Sequence, residues 1–269
     1  MSSVQRARLV PAGTVLGGVL ALELGAVLAA PLIPRVGLVG VVALRLVLGA
    51  LMLSLLARPA WRRVERTEVP WIAVVALGLM VHHLAFYAAV HRLPLGMAVT
   101  LEFIGPLLVA LLGSRRPIDL VLALGACVGV VMSVHPAGGD VDVLGVVAGL
   151  LAGASWAAYI VCFPRLAAQA GSRRGLSLAN GAAAVLVLPA LLMSGDVVSF
   201  TPGLVVWGLG IALLSDVIAY TLQASALTRL PGAVFSVLVS TEPAVGAILG
   251  LILLGQPIAQ VQWAGIAPW

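Results

Sequence analysis

The chain has 269 residues, 62% hydrophobic and only 9% charged, with a formal net charge of +5 carried by arginine, since it contains no lysine. A water-soluble protein of this size cannot hide that much apolar surface, so composition excludes a soluble enzyme or regulator and indicates a polytopic membrane protein. A pI near 10.2 would suggest nucleic-acid binding in a soluble chain, but these arginines are scattered over short loops, which is a topology signal.

A membrane-spanning helix needs about 20 mostly apolar residues. Reading apolar runs between polar breaks predicts spans at 11–31, 36–57, 70–90, 95–113, 118–135, 143–163, 175–194, 203–224 and 232–254. The first run follows Arg6 and Arg8 and reaches Ala30. It is longer than the roughly 7–15 residues of a signal-peptide core and contains Glu23, so it reads as a span. A tenth apolar run starts near Ile258 and meets the end of the sequence at Trp269. Those twelve residues rise only about 18 Å, short of the roughly 30 Å hydrocarbon layer, and the pattern reads as a helix cut short.

Loop charge orients the chain. With the N-terminus inside, the cytoplasmic segments hold Arg6, Arg8, Arg58, Arg62, Arg63, Arg66, Arg115, Arg116, Arg165, Arg173, Arg174 and Arg229. The opposite side holds Arg35 and Arg92 together with Asp140, Asp142 and Asp196. The imbalance satisfies the positive-inside rule. Arg45 lies within the second span. Cys127 and Cys162 both fall in apolar runs, with no zinc spacing or disulfide framework, and read as packing residues.

The sequence also repeats itself. His91-Arg92-Leu93-Pro94 resembles Thr228-Arg229-Leu230-Pro231, Pro106 matches Pro243, and Gly113 matches Gly250, each at an offset of 137 residues. Five spans separate the copies, an odd number, so they lie in opposite orientations. That is the pattern of an inverted-topology repeat, common in transporters. The fold expected is therefore all-α, with two inverted five-helix repeats at 1–137 and 138–269. Ser114-Arg115-Arg116-Pro117 closes one copy and uncharged Gly255-Gln256-Pro257 closes the other, as opposite orientations require.

The segment Leu101-Glu102-Phe103-Ile104-Gly105-Pro106-Leu107 places a carboxylate and a Gly-Pro pair in an apolar run. A charge at bilayer depth costs roughly 2.5–3.5 kcal/mol on insertion scales, and it is tolerated where it faces protein or a water-filled interior. Gly105 and Pro106 are expected to break the helix here, and Pro243 is expected to break its repeat partner. Together with Ala43-Leu44-Arg45-Leu46, Trp156-Ala157-Ala158-Tyr159-Ile160, Ala226-Leu227-Thr228-Arg229-Leu230-Pro231 and Glu242-Pro243-Ala244, this segment resembles the EamA branch of the drug/metabolite transporter superfamily, and within it the threonine/homoserine exporter type. The resemblance runs over nearly the whole chain. It implies ten helices in two repeats and export of small amino-acid-like solutes from a bacterial inner membrane. The chain departs from the family pattern at Glu23, Asp216, Ala219, Gln223 and Gln256, so its acidic groups are redistributed.

Glu23, Arg45, Glu102, Asp216 and Glu242 all lie inside predicted spans, which suits a polar central cavity better than packing. Arg45 is a candidate for a substrate carboxylate, because a guanidinium stays charged and can bind bidentately. The alternative is that it neutralises Glu23 or Glu102. Buried carboxyls exchange protons as their surroundings change, so Glu102, Asp216 and Glu23 are candidate proton carriers. His82 and His83 are candidate relays, and His83 lies i, i+4 from Tyr87. Asp216, Tyr220 and Gln223 follow i, i+4, i+7 and are expected to share one helix face. They could bind an ammonium or form an interhelical clamp. Trp156 and Tyr159 are candidates for an aromatic wall, although aromatics also simply pack. Gly145-Val146-Val147-Ala148-Gly149 and Gly246-Ala247-Ile248-Leu249-Gly250 suit close packing within the monomer or between copies, which makes a homodimer a candidate assembly.

Secondary transport by proton antiport is the reading these features favour, with a small metabolite, protons and lipid as partners and neither cofactor, metal nor nucleic acid. Direct ATP use lacks a G-x-x-x-x-G-K-[ST] loop. The alternatives are export of a different metabolite or drug, a lipid-active membrane enzyme, and a sensor without transport. An enzyme would want clustered acid or histidine ligands near an interface, whereas these acids are spread over several helices at depth.

Overall fold

The computed structural model describes residues 3–58, 63–113, 142–195 and 201–256, which are helices and short connections with no strand among them. Helix α1 (Ser3–Ala29) passes through a 3-10 turn, Ala30–Leu32, into the short α2 (Ile33–Val36). Pro31 and Pro34 sit in the first turns of these two pieces, where a missing N–H is tolerated and the chain changes pitch without reversing. Gly37, at φ 73°, takes a backbone conformation open chiefly to glycine, and α3 (Leu38–Ala57) follows. Next come α4 (Val69–Arg92), α5 (Leu95–Gly113), α6 (Val143–Ala170) and α7 (Ser172–Ser194). The last part comprises α8 (Pro202–Ala212), a π-helical segment Leu213–Ala219, α9 (Tyr220–Leu227), α10 (Gly232–Val239) and α11 (Glu242–Leu254).

Among the described residues, eight helical runs are long and apolar enough to cross a membrane. They coincide with the predicted spans except the one at 118–135, which lies outside the described residues. The tenth run from Ile258, Cys127, the charges at Arg62, Arg115, Arg116, Asp140 and Asp196, and the repeat boundary at 137/138 lie outside them too. The outer surface is apolar, with Leu55 77% and Leu112 88% exposed, while Glu23, Arg45, Glu102, Asp216 and Glu242 are buried. Polar residues inside and leucine outside invert the arrangement of a water-soluble protein and match a bilayer environment.

The two copies of the repeated segment meet. Helix α5 starts directly after Leu93-Pro94 and α10 directly after Leu230-Pro231. The Leu95 N–H donates to Gln256 Oε1 at 2.9 Å, so the start of α5 lies at the end of α11. A Cβ on Gly232, at the start of α10, would stand 3.6 Å from Val109 near the end of α5. The copies are therefore antiparallel, as an inverted repeat demands.

Two local features differ from the sequence-based expectation. Helix α5 runs without interruption through Gly105 and Pro106, so the expected break is absent there. Its repeat partner is interrupted at Ser240–Thr241, and Pro243 stands in the first turn of α11. The span predicted at 203–224 is not uniform, because its centre is π-helical. The wider π turn changes the phase of that run and buries Ser215 and Asp216 side by side.

Candidate functional site

The polar interior is assembled by close approach of helices at glycine. On α3, Arg45 and Gly49 lie one turn apart on the same face. A Cβ on Gly49 would stand 2.8 Å from the Asp216 Cβ, so only glycine leaves room for the π segment to lay Asp216 beside Arg45. Gly25 of α1 likewise faces the Ser215 hydroxyl, with no space for a side chain.

Asp216 is the hub of one cluster. Arg45 Nε donates to Asp216 Oδ2 at 3.0 Å, and both side chains are fully enclosed. Asn180 Nδ2 of α7 donates to Oδ1 at 3.4 Å, and His83 Nε2 of α4 lies 3.7 Å from the same oxygen. Arg45 Nη1 also donates to the Tyr87 hydroxyl at 3.1 Å, and its Cζ lies 5.8 Å from the Tyr87 ring centre and 5.9 Å from that of Tyr220. The guanidinium is thus held by one carboxylate, one hydroxyl and two aromatic faces. Of the alternatives drawn from sequence, neither Glu23 nor Glu102 is its ion-pair partner; Asp216 is, because the π turn delivers it.

A second cluster joins α4, α5 and α6. His82 Nε2 lies 3.3 Å from Glu102 Oε1, and His82 Nδ1 lies 3.3 Å from the Ala152 carbonyl oxygen. The Trp156 ring packs 5.9 Å from His82. The third cluster is acidic. Gln223 Nε2 donates to Glu242 Oε1 at 3.2 Å. One turn beyond Glu242, a Cβ on Gly246 would stand 3.0 Å from Glu23 Oε2. Gln223 is therefore turned toward Glu242, while Asp216 and Tyr220 converge on Arg45 and His83, so the predicted shared face divides in two.

Aromatic rings connect the clusters. Tyr220 stacks on His83 at 5.8 Å and meets Tyr159 edge-on at 5.7 Å. Across this interior, Glu23 Oε2, Arg45 Nη2, Trp156 Nε1, Tyr159 Oη, Gln223 Oε1 and Glu242 Oε2 are buried without a hydrogen-bond partner among the described residues. Native interiors satisfy nearly all such atoms, so a concentration of unmatched donors and acceptors marks a place suited to polar ligands. Among the described residues no group of His, Cys, Asp and Glu is arranged to hold a metal.

From sequence alone Tyr87 pairs only with His83 by spacing, and Asn180, Ser215 and Gly49 are not singled out. A carboxamide in the apolar run of α7 was a legible signal for Asn180. Nothing in the sequence distinguishes Gly49 from the many glycines that only pack.

A model of the EamA-like transporter family matches residues 143–268. The threonine/homoserine exporter RhtA of Escherichia coli (strain K12) is 39% identical over 244 residues, covering 88% of this chain and 81% of that protein. RhtA of Salmonella typhimurium (strain LT2) is 39% identical over 249 residues, covering 90% of this chain and 82% of the relative. The chain belongs to the EamA-like transporter family. An uncharacterized transporter of Bacillus subtilis (strain 168), YwfM, is 30% identical over 127 residues, covering 47% of this chain and 43% of that one. A crystal structure at 20% identity superposes with a TM-score of 0.71 over 95% of this chain and 93% of its own. At that identity it shows the fold alone. As an EamA-like protein with eight described apolar spans, the chain is a multi-pass membrane transporter for small metabolites.

Proposed function

We propose that this transporter exports small amino acids of the threonine and homoserine kind across the bacterial inner membrane by proton antiport, without catalysis. In this reading the N-terminus is cytoplasmic and the two inverted repeats, 1–137 and 138–269, rock about the polar interior to open it to each side in turn. The observation that carries the proposal is Arg45, a fully enclosed guanidinium whose Nη2 has no partner among the described residues, beside four buried carboxyl groups. A zwitterion presents one anionic and one cationic group, and Arg45 together with Glu102 and Asp216 offers the complement of both. The names of the relatives supply the substrate class.

His82 and Glu102 supply the coupling. A backbone carbonyl only accepts, so His82 Nδ1 facing the Ala152 oxygen carries its hydrogen and donates. Nε2 then faces Glu102 Oε1, and a favourable contact needs a proton on one of the two atoms. Proton entry at this pair competes with the substrate ammonium for the carboxylate. Release of substrate and uptake of a proton thus become alternatives, which is the logic of antiport.

The experiment is flux of labelled threonine and homoserine in proteoliposomes, driven by an imposed pH gradient. Saturable uptake that follows the gradient and is lost in Glu102→Gln supports the reading. Gradient-driven flux unchanged in Glu102→Gln removes Glu102 from the mechanism, and no flux of any amino acid by folded protein overturns the substrate class.

A further inference from the structure

Trp156 and Tyr159 lie three residues apart on α6 and so share a face. Both rings are buried, yet Trp156 Nε1 and the Tyr159 hydroxyl have no hydrogen-bond partner among the described residues. Their neighbours place them between the two ends of the interior. The Trp156 ring packs on His82, whose other side touches Glu102. The Tyr159 ring meets Tyr220, on whose face the Arg45 guanidinium lies. Trp156 thus neighbours the Glu102 end, and Tyr159 the Arg45 end, of the place proposed for an amino acid's amine and carboxylate.

The chemistry of the two free atoms is selective. An indole N–H only donates, whereas a phenol oxygen both donates and accepts. A ligand carbonyl could accept from both, whereas an apolar side chain could match neither. A ligand ammonium could match the phenol oxygen but would repel the indole. A hydroxyl accepts from one and donates to the other. From this we infer that Trp156 and Tyr159 form a hydroxyl-selecting subsite, which separates threonine and homoserine from apolar amino acids of the same size. The inference rests on the amino-acid reading above and adds to it the residues that set specificity. A site built around a substrate hydroxyl rejects the analogue lacking it, because buried polar groups are left unmatched, at a cost of about five- to 150-fold in affinity.

Threonine and valine test this directly, since they differ by a hydroxyl in place of a methyl at nearly constant shape. Competition against labelled threonine flux is measured in proteoliposomes for unlabelled threonine and valine, with the native chain, Trp156→Phe and Tyr159→Phe. The expected native result is inhibition by threonine at concentrations about tenfold or more below those of valine. In each variant the ratio should shrink to within about threefold, through loss of threonine affinity with valine little changed. A preference unchanged in both variants overturns the subsite. So does a native protein that transports amino acids without distinguishing threonine from valine, and this outcome leaves the amino-acid reading standing. No flux of any amino acid would remove both. If a variant fails to fold, the native threonine-to-valine ratio together with the remaining variant still decides.

Discussion

Helix α5 and the α10–α11 pair are two copies of one sequence pattern, yet one is continuous and the other broken. Both start after Leu-Pro, and both carry proline 12 residues further on, at Pro106 and Pro243. Each proline withholds an N–H from the carbonyl four residues earlier, so proline alone does not decide the outcome. Neighbours do. In α5 the affected carbonyl belongs to Glu102, and it faces the bare side of Gly153 on α6, while Gly105 presents its own bare side to the Gly153 carbonyl. This reciprocal glycine contact clamps the helix straight against α6. The offset of 137 aligns Phe103, Ile104 and Gly105 with Ser240, Thr241 and Glu242. There the Ser240 hydroxyl donates to the Val237 carbonyl at 2.6 Å and Thr241 Oγ1 donates to that of Leu238 at 3.3 Å. Hydroxyls that compete for backbone acceptors release the helix, and Glu242 restarts it at a positive helix end. The acids consequently sit one turn apart in the two copies, Glu102 within a helix and Glu242 at the head of one.

The largest effect is expected at the glycine clamp. Gly105→Ala places a methyl group into the Gly153 backbone, which cannot move aside as a side chain would. Overpacking of this kind costs about 1–3 kcal/mol, and we expect a marked loss of folded yield and a lower unfolding temperature in detergent. Glu242→Ala at the aligned position meets no such obstacle, so equal thermal stability of Gly105→Ala and the native protein would show that α5 is straight for another reason. The acids come next. Glu102→Gln should reduce gradient-driven flux more than a hundredfold, because the amide cannot carry the exchanged proton. Glu242→Gln retains an oxygen to accept from Gln223, and its loss of flux should stay within about tenfold. The reverse order would transfer the coupling role to the broken copy. A smaller effect is expected from Ser240→Ala with Thr241→Val. Each removes one hydroxyl-to-carbonyl bond worth about 0.5–1.5 kcal/mol, and hydrogen exchange at 238–242 should slow if the helix then closes over the gap.

Some of this architecture is legible in the sequence, and the rest is not, for physical reasons. Apolar run length located the spans because bilayer thickness fixes it, and the shared offset revealed the repeat because Leu-Pro and proline recur without gaps. The buried ionisable residues stood out because insertion cost makes each one costly wherever it points. Partners did not stand out. Arg45 finds Asp216, 171 residues away, because a π turn shifts the phase and because Gly49 is small, and neither feature leaves a periodic trace. The predicted break at Pro106 failed for a related reason. Proline weakens a helix locally, but whether it opens depends on what lies across from it, and Gly153 is distant in sequence. The ring polarity of Trp156 and Tyr159 was likewise hidden behind their value as packing residues.

Glu68, just before α4, provides the smallest effect and a control for all measurements of pH. Arg174 Nη2 donates to Glu68 Oε2 at 3.1 Å and to the Arg63 carbonyl at 3.1 Å, tying the segment before α4 to the first turn of α7. Hydrogen bonding from Arg174 holds the Glu68 carboxyl below its usual range. A carboxyl lowered by folding contributes stability that is complete above its unfolded value, about 4.3, and is lost as pH falls through the lower folded value. Arg174 is partly exposed, with a side chain 25% accessible, so the contribution belongs near the upper end of a surface pair, about 1 kcal/mol or less. Glu68→Gln should therefore unfold at a slightly lower temperature than the native protein at pH 7. The difference should narrow as pH falls below about 4. Flux driven by pH gradients above that window would be unaffected by this rim contact, so a pH response seen there originates elsewhere, in the proposed mechanism at the buried His82–Glu102 pair. A native-minus-variant difference that widens on acidification would reverse the sign assigned to Glu68, and flux comparisons between Glu102→Gln and Glu242→Gln would then need a different pH reference.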